Sequence, residues 1–133
     1  MPPHWLRNQL DFEIPVLLIQ TLASGQIGIL PQVKKTSAFR CNIGFVNLSA
    51  GSCTVITKLY SASGAPLGNT VTTTMNAGAW KQINDAFAKA GVSSCDLGYA
   101  TVEVTTGGCS VWAYASIVDN DSGDPTTIPI YVQ

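Results

Sequence analysis

The stretch YATVEVTTGGCSVWAYASIV, residues 99–118, alternates in both of its halves about a Thr105-Thr106-Gly107-Gly108 centre. Ala100, Val102 and Val104, then Val111 and Ala113, fall on one side; Tyr99, Thr101, Glu103, Ser110, Trp112 and Tyr114 fall on the other. Successive side chains of a strand point to opposite faces, so this period of two predicts two half-buried strands, Tyr99–Val104 and Cys109–Val118. The Gly-rich centre predicts a hairpin, with Val104 beside Cys109, Val102 beside Val111 and Ala100 beside Ala113. Its aliphatic face then needs a partner sheet, and two such layers make a sandwich.

The same period runs upstream. Phe39, Cys41, Ile43 and Phe45 form one inward row, with Arg40, Asn42 and Gly44 opposite. After a turn at Leu48–Ser52, Cys53, Val55, Thr57 and Leu59 form the next. A second turn over 61–68, rich in Gly, Pro and small residues, leads to a Thr-heavy strand at 69–75. One short helix interrupts the pattern: Ala86 to Ala90 with Phe87 as apolar anchor, Asn84 or Asp85 as N-terminal cap, Gly91 as stop. The fold expected is an all-β, two-sheet antiparallel sandwich of the immunoglobulin-like kind, seven to nine strands with one short helix.

The phrase SGQIGILP at Ser24–Pro31 returns as SGDPTTIP at Ser122–Pro129. Proline is tolerated in strands mainly at edges and ends, so each copy reads as an edge segment of one unit in a repeat. This divides the chain into an N-terminal extension, 1–23, and a sandwich module, 24–133. The extension carries Phe12 to Leu22, with Val16, Leu17, Leu18 and Ile19 together. Such a run is too apolar to lie bare, which predicts packing along the domain's edge, or strand exchange or dimerisation through this segment.

Hydrophobic residues make up 46% of the 133, charged residues only 11%, and the net charge is -1. Lys34, Lys35 and Arg40 are the one basic cluster, too little for a surface that tracks phosphates, so nucleic acid is not an expected partner. No apolar run approaches the roughly 18–20 residues of a membrane span, and the acidic Asp11 and Glu13 before Ile14 fit a secretory signal poorly. Four cysteines, Cys41, Cys53, Cys95 and Cys109, form no C-x-x-C pair and share the chain with a single His, His4. Two disulfides or buried free thiols therefore outrank a zinc site, and disulfides point to an extracellular or cell-surface location.

The segments FRCNIGFVNLSAGSCTVITKLYSASG (39–64), GAWKQINDAFAKAG (78–91) and YATVEVTTGGCSVWAYASIVDNDSGDPTTIP (99–129) resemble the modules found, often in tandem, in large bacterial extracellular proteins of mostly uncharacterised role. The resemblance covers residues 24–129 and implies a β-sandwich without an agreed ligand or catalytic set. Cys41 stands where that pattern usually has Thr and Cys53 where it has a small residue, which suggests added covalent staples. The opening MPPHWLRNQLDFEIP has no counterpart in it.

For catalysis, a Ser-His-Asp or Cys-His arrangement has only His4 beside Trp5 to supply the imidazole, and Glu103 sits among outward strand residues. The chain is therefore expected not to be an enzyme, and a small hydrolase is the weaker alternative. Asp119, Asp121 and Asp124, with Asn120, offer the oxygen chemistry calcium prefers, as in a calcium-dependent lectin-like domain. Gly123 falls at the wrong place for the helix-loop-helix calcium pattern, and an ordinary turn is the competing reading. No other cofactor is implied. Tyr99, Trp112 and Tyr114, on one face of the expected hairpin, suit a protein or carbohydrate surface if that face is outward, and are core if it is not. Trp80 and Phe87 are expected to plug one end of the sandwich. The function expected is a non-catalytic binding or spacer module.

Overall fold

The computed structural model describes residues 20–133, which form two antiparallel sheets packed face to face. Ten strands follow in chain order: β1 Leu22–Ala23, β2 Ile27–Lys35, β3 Phe39–Asn47, β4 Cys53–Ser61, β5 Pro66–Met75, β6 Trp80–Ile83, then the helix α1 Ala86–Lys89, β7 Cys95–Val104, β8 Ser110–Asp119, β9 Pro125–Pro129 and β10 Tyr131–Val132. The first sheet runs β1-β8-β3-β6, with β9 also on β8; the second runs β10-β2-β7-β4-β5. His4, Trp5 and the apolar run before Gln20 lie outside the described residues.

The inward rows are the expected ones. Cys41, Ile43, Phe45, Val55, Ala100, Val102, Val104, Val111 and Ala113 are all fully buried. Their neighbours, however, differ from the sequence reading. β7 and β8 do not form a hairpin: β7 lies between β2 and β4, and β8 pairs with β3 across its whole length. The chain crosses from one sheet to the other between them, so Val102 and Val111 belong to opposite walls of the core. Alternation specifies which side chains point in, and an arch and a hairpin satisfy it equally. The crossing is fastened to β4 by three links. The Thr105 amide donates to the Thr54 carbonyl at 3.0 Å, the Thr54 amide to Thr106 Oγ1 at 3.0 Å, and Cys109 is disulfide-bonded to Cys53.

Of the two readings, two disulfides or buried free thiols, the structure holds part of each: Cys53 and Cys109 are bonded, while Cys41 is buried and free and Cys95 is half-buried and free. Cys41 faces the core from the first sheet beside Ile117, and Cys95 starts β7 in the second sheet opposite Lys35. Burial pushes the Cys41 thiol up to about 12, with the Asp85 carboxylate adding to the effect.

α1 is short and stops at Gly91, whose φ of +81° suits a residue without Cβ. Its start is not the expected side-chain cap. Asp85 takes a left-handed conformation, and its carboxylate turns to Lys35 Nζ at 2.6 Å while its amide donates to Asn42 Oδ1 at 2.9 Å. Phe87 is fully buried, as expected. Buried Asn47 closes the same layer: its Nδ2 donates to the carbonyls of Gly51 and Asn76 at 2.9 and 3.0 Å, joining two turns.

The doubled phrase occupies two different places. Ile27–Pro31 opens β2 in the second sheet, whereas Pro125–Pro129 is β9, on the outer edge of β8 in the first. Both follow a turn, but only β9 is an edge strand; β2 lies between β10 and β7, and its Pro31 falls at the register shift between Leu30 and Val33, beside Gln32 at φ +59°. The likeness is one of local chemistry. Leu22, assigned from sequence to the extension, is fully buried in the core, and Ile130 beyond β9 is buried as well.

Candidate functional site

The outer face of the first sheet is set by strand register. Val46 of β3 lies directly opposite Trp80 of β6 on one side and Trp112 of β8 on the other. In the next outward row Gly44 lies opposite Gln82 and Tyr114, and Tyr114 opposite Pro129. Residues directly opposite share a face, so Trp80, Trp112 and Tyr114 emerge on one surface.

These rings are fastened to one another. Tyr114 lies flat across Gly44, where a Cβ would meet its Cζ at 2.2 Å. Only glycine leaves room for the ring to cross β3 toward β6. There Trp80 Nε1 donates to Tyr114 Oη at 3.0 Å, and Tyr114 Oη donates to Gln82 Oε1 at 2.9 Å. Gln82 is held in turn by its Nε2 donating to Asn84 Oδ1 at 2.8 Å. Trp112 stacks on Tyr114 with ring centroids 5.2 Å apart at 29°, an arrangement worth about 0.5–1.5 kcal/mol beyond area burial. Trp80 is nevertheless 59% exposed.

Sequence reasoning reached Trp112 and Tyr114 and missed Trp80, Gln82 and Gly44. Trp80 does not plug the sandwich; it stands on the outside of a four-residue edge strand. Tyr99 does not join Trp112 and Tyr114. It is on the outer face of the second sheet, stacked on its cross-strand partner Tyr60 at 5.0 Å and 11°. The separation follows from the arch: residues that would neighbour in a hairpin are carried to opposite surfaces. Around Tyr60, a shallow hollow is lined by Ile27, Ile56, Lys58, Thr101 and Glu103.

The acidic segment is a turn closed on itself. Asp119 Oδ1 accepts from the amide of Asp121 at 2.8 Å, the Gly123 amide donates to the Asp119 carbonyl at 2.8 Å, and the Asp124 amide donates to Ser122 Oγ at 3.1 Å. Asp121 and Asp124 are exposed. Among the described residues no group of three or more His, Cys, Asp or Glu side chains converges in a way that could hold a metal ion. Of the calcium candidates Asp119, Asp121 and Asp124, weighed in the sequence against an ordinary turn, the Asp119 carboxylate is directed to the chain's own amides. Glu103 is set by register against Ile27 and Ile56. Among the described residues no helix is long and apolar enough to cross a membrane.

A larger groove, of about 430 Å³, opens along the side of the sandwich between β2 and β9, lined by Phe39, Leu97, Ile117 and Ile128 with Lys34 and Thr126 at its margins. Lys34 Nζ sits 4.0 Å from the Phe39 ring centroid. It is a gap between sheet edges whose apolar wall also carries Gln32 and Asp96.

No family model and no curated protein matches the chain. Among solved structures, the crystal structure of Thermotoga maritima 1070 is similar, with a TM-score of 0.62 at 11% identity, covering 81% of this chain and 94% of that one. At that identity the likeness is one of fold, and it agrees with a two-layer antiparallel β-sandwich.

Proposed function

We propose that the chain is a non-catalytic binding module of the immunoglobulin-like kind, from a bacterial secreted or surface protein, and that it binds through the outer face of its first sheet. The observation that carries this reading is Trp80, 59% exposed yet tethered by its indole N–H to Tyr114. An exposed ring with nothing to hold it has little reason to be fixed. A ring locked before any ligand arrives loses little conformational freedom on binding, which is how preorganised recognition surfaces raise affinity. The Cys53–Cys109 disulfide supports a location outside the cytoplasm. Self-association through the apolar segment ending at Leu22 belongs to the same proposal: sedimentation should show a dimer that Leu17→Asp converts to monomer, and a monomeric wild type would discard it.

The test of the binding reading is an array of glycans and immobilised proteins probed with and without a calcium chelator. Binding that is lost in Trp112→Ala and retained in Asp121→Ala supports it. Chelator-sensitive binding lost in Asp121→Ala would replace it with a calcium-dependent lectin, and an absence of any binding would leave a spacer.

A further inference from the structure

The groups still available on the platform, and their charge, narrow the ligand. We propose that the outer face of the first sheet binds an uncharged polysaccharide as an extended chain lying across strands β6, β3 and β8. This inference rests on the platform being the binding surface.

Consider first what the rings still offer. The indole N–H of Trp80 is given to Tyr114 and the phenol of Tyr114 to Gln82, so both polar handles are consumed inside the platform. Aromatic anchors of protein interfaces gain much of their specificity from such handles. With those handles spent, what exposed Trp80, and Trp112 stacked on Tyr114, can offer a ligand is ring face, flat, apolar and slightly negative. The complementary ligand surface is equally flat and lined with weakly positive C–H groups. A pyranose ring with its hydroxyls equatorial has such a face.

Consider next the span. Trp80 and Trp112 are separated by one intervening strand, hence two strand spacings of about 4.8 Å each. Half-buried Val46 forms the floor between them. Tyr114 reaches from β8 across Gly44 to Trp80, so the rings make a band over three strands rather than a socket. A band selects a chain of several sugar rings; a single terminal sugar would need enclosure.

Charge excludes the other flat ligands. The next outward row holds Asn42, Ser116 and Thr127, and beyond it Arg40, which donates to Asn120 Oδ1 at 2.8 Å and keeps its charge, is a lone cation rather than a basic groove. Lys81, on the neighbouring position of β6, turns its Nζ away to the Thr74 carbonyl at 2.7 Å. Stacked nucleobases come with a phosphate chain that needs a basic groove, and acidic polysaccharides need the same. Neutral amides and hydroxyls beside ring faces suit a ligand whose polarity is all hydroxyl.

The experiment is affinity electrophoresis and pull-down of the full chain with cellulose, xylan, chitin and starch, polygalacturonate as the charged control, and an immobilised protein panel, at low and high salt. Retention on at least one neutral polysaccharide is expected, insensitive to salt. It should weaken at least tenfold in Trp80→Ala and in Trp112→Ala and stay unchanged in Tyr99→Ala on the opposite surface. Gly44→Ala provides a second test, because it displaces Tyr114 without removing any ring. Retention on polygalacturonate alone, lost at high salt, would overturn the inference. Ring-dependent binding to proteins but to no polysaccharide would overturn it and leave the platform standing as a protein-contact surface. No ring-dependent binding of any kind would overturn both.

Discussion

Trp80 and Tyr114 are hydrogen-bonded at 3.0 Å although a whole strand, β3, lies between the strands that carry them, and the contact exists because residue 44 of that strand has no side chain. The surface thus depends on a glycine in the middle strand. Gly44→Ala places a methyl group within the volume of the Tyr114 ring. It should leave far-ultraviolet circular dichroism unchanged and cost about 1–3 kcal/mol, as over-packing changes do. The Trp80 indole N–H should shift in the nuclear magnetic resonance spectrum as its bond to Tyr114 breaks. An unmoved indole signal would mean that the ring has another seat.

The disulfide joins the start of β4 to the arch before β8 across 56 residues of sequence. Closing a loop of that length removes enough unfolded-state entropy to contribute about 4 kcal/mol. Urea unfolding with and without reductant should differ by roughly that amount. Alkylation of the unfolded chain should attach two labels before reduction and four after, since Cys41 and Cys95 are free. Any other pair of label counts would contradict this pairing.

Thr57 is buried among apolar side chains, and its hydroxyl has no hydrogen-bond partner among the described residues. Replacing a buried, unpartnered hydroxyl by a methyl group of the same shape removes a desolvation cost, so Thr57→Val should stabilise the fold by about 1 kcal/mol. A loss of stability of the same size would show that the hydroxyl is satisfied.

Cys41 makes the fold sensitive to alkali. Its thiol keeps its proton in the folded state up to about 12, whereas the ordinary value is 9.0, so the folded state binds the proton more tightly. That contribution is complete below pH 9.0 and is lost as pH rises from there toward about 12. Cys41→Thr should therefore show a shallower fall in urea midpoint over that window than the wild type. Parallel falls would assign the alkaline loss to other groups.

Much of the sandwich is legible in the sequence because burial on one side of a strand writes itself as a period of two. Ile43, Phe45, Val55 and Val111 announce their direction without any knowledge of what they meet. Which strand lies beside which is not written locally. The arch after Val104 has the turn residues of a hairpin, and only the prior claims of β2 and β4 on β7, and of β3 on β8, separate the two strands. The platform was half legible for the same reason. The parity of Trp112 and Tyr114 is plain within ten residues of alternation, but Trp80 begins a strand of four, and its face is decided by Val46 across the ladder. The Gly44 of GFV reads as an ordinary strand glycine until a ring is found lying on it.

The central claim is that ligands meet the first sheet's outer face, and amide and indole shift mapping during titration with a bound oligosaccharide tests it most directly. The predicted result is movement of the Trp80 and Trp112 indole signals and of backbone amides at Gly44, Val46 and Gln82, with Tyr60 and Tyr99 still. Movement confined to the Tyr60 and Tyr99 surface, or to the groove beside Phe39 and Ile128, would contradict it.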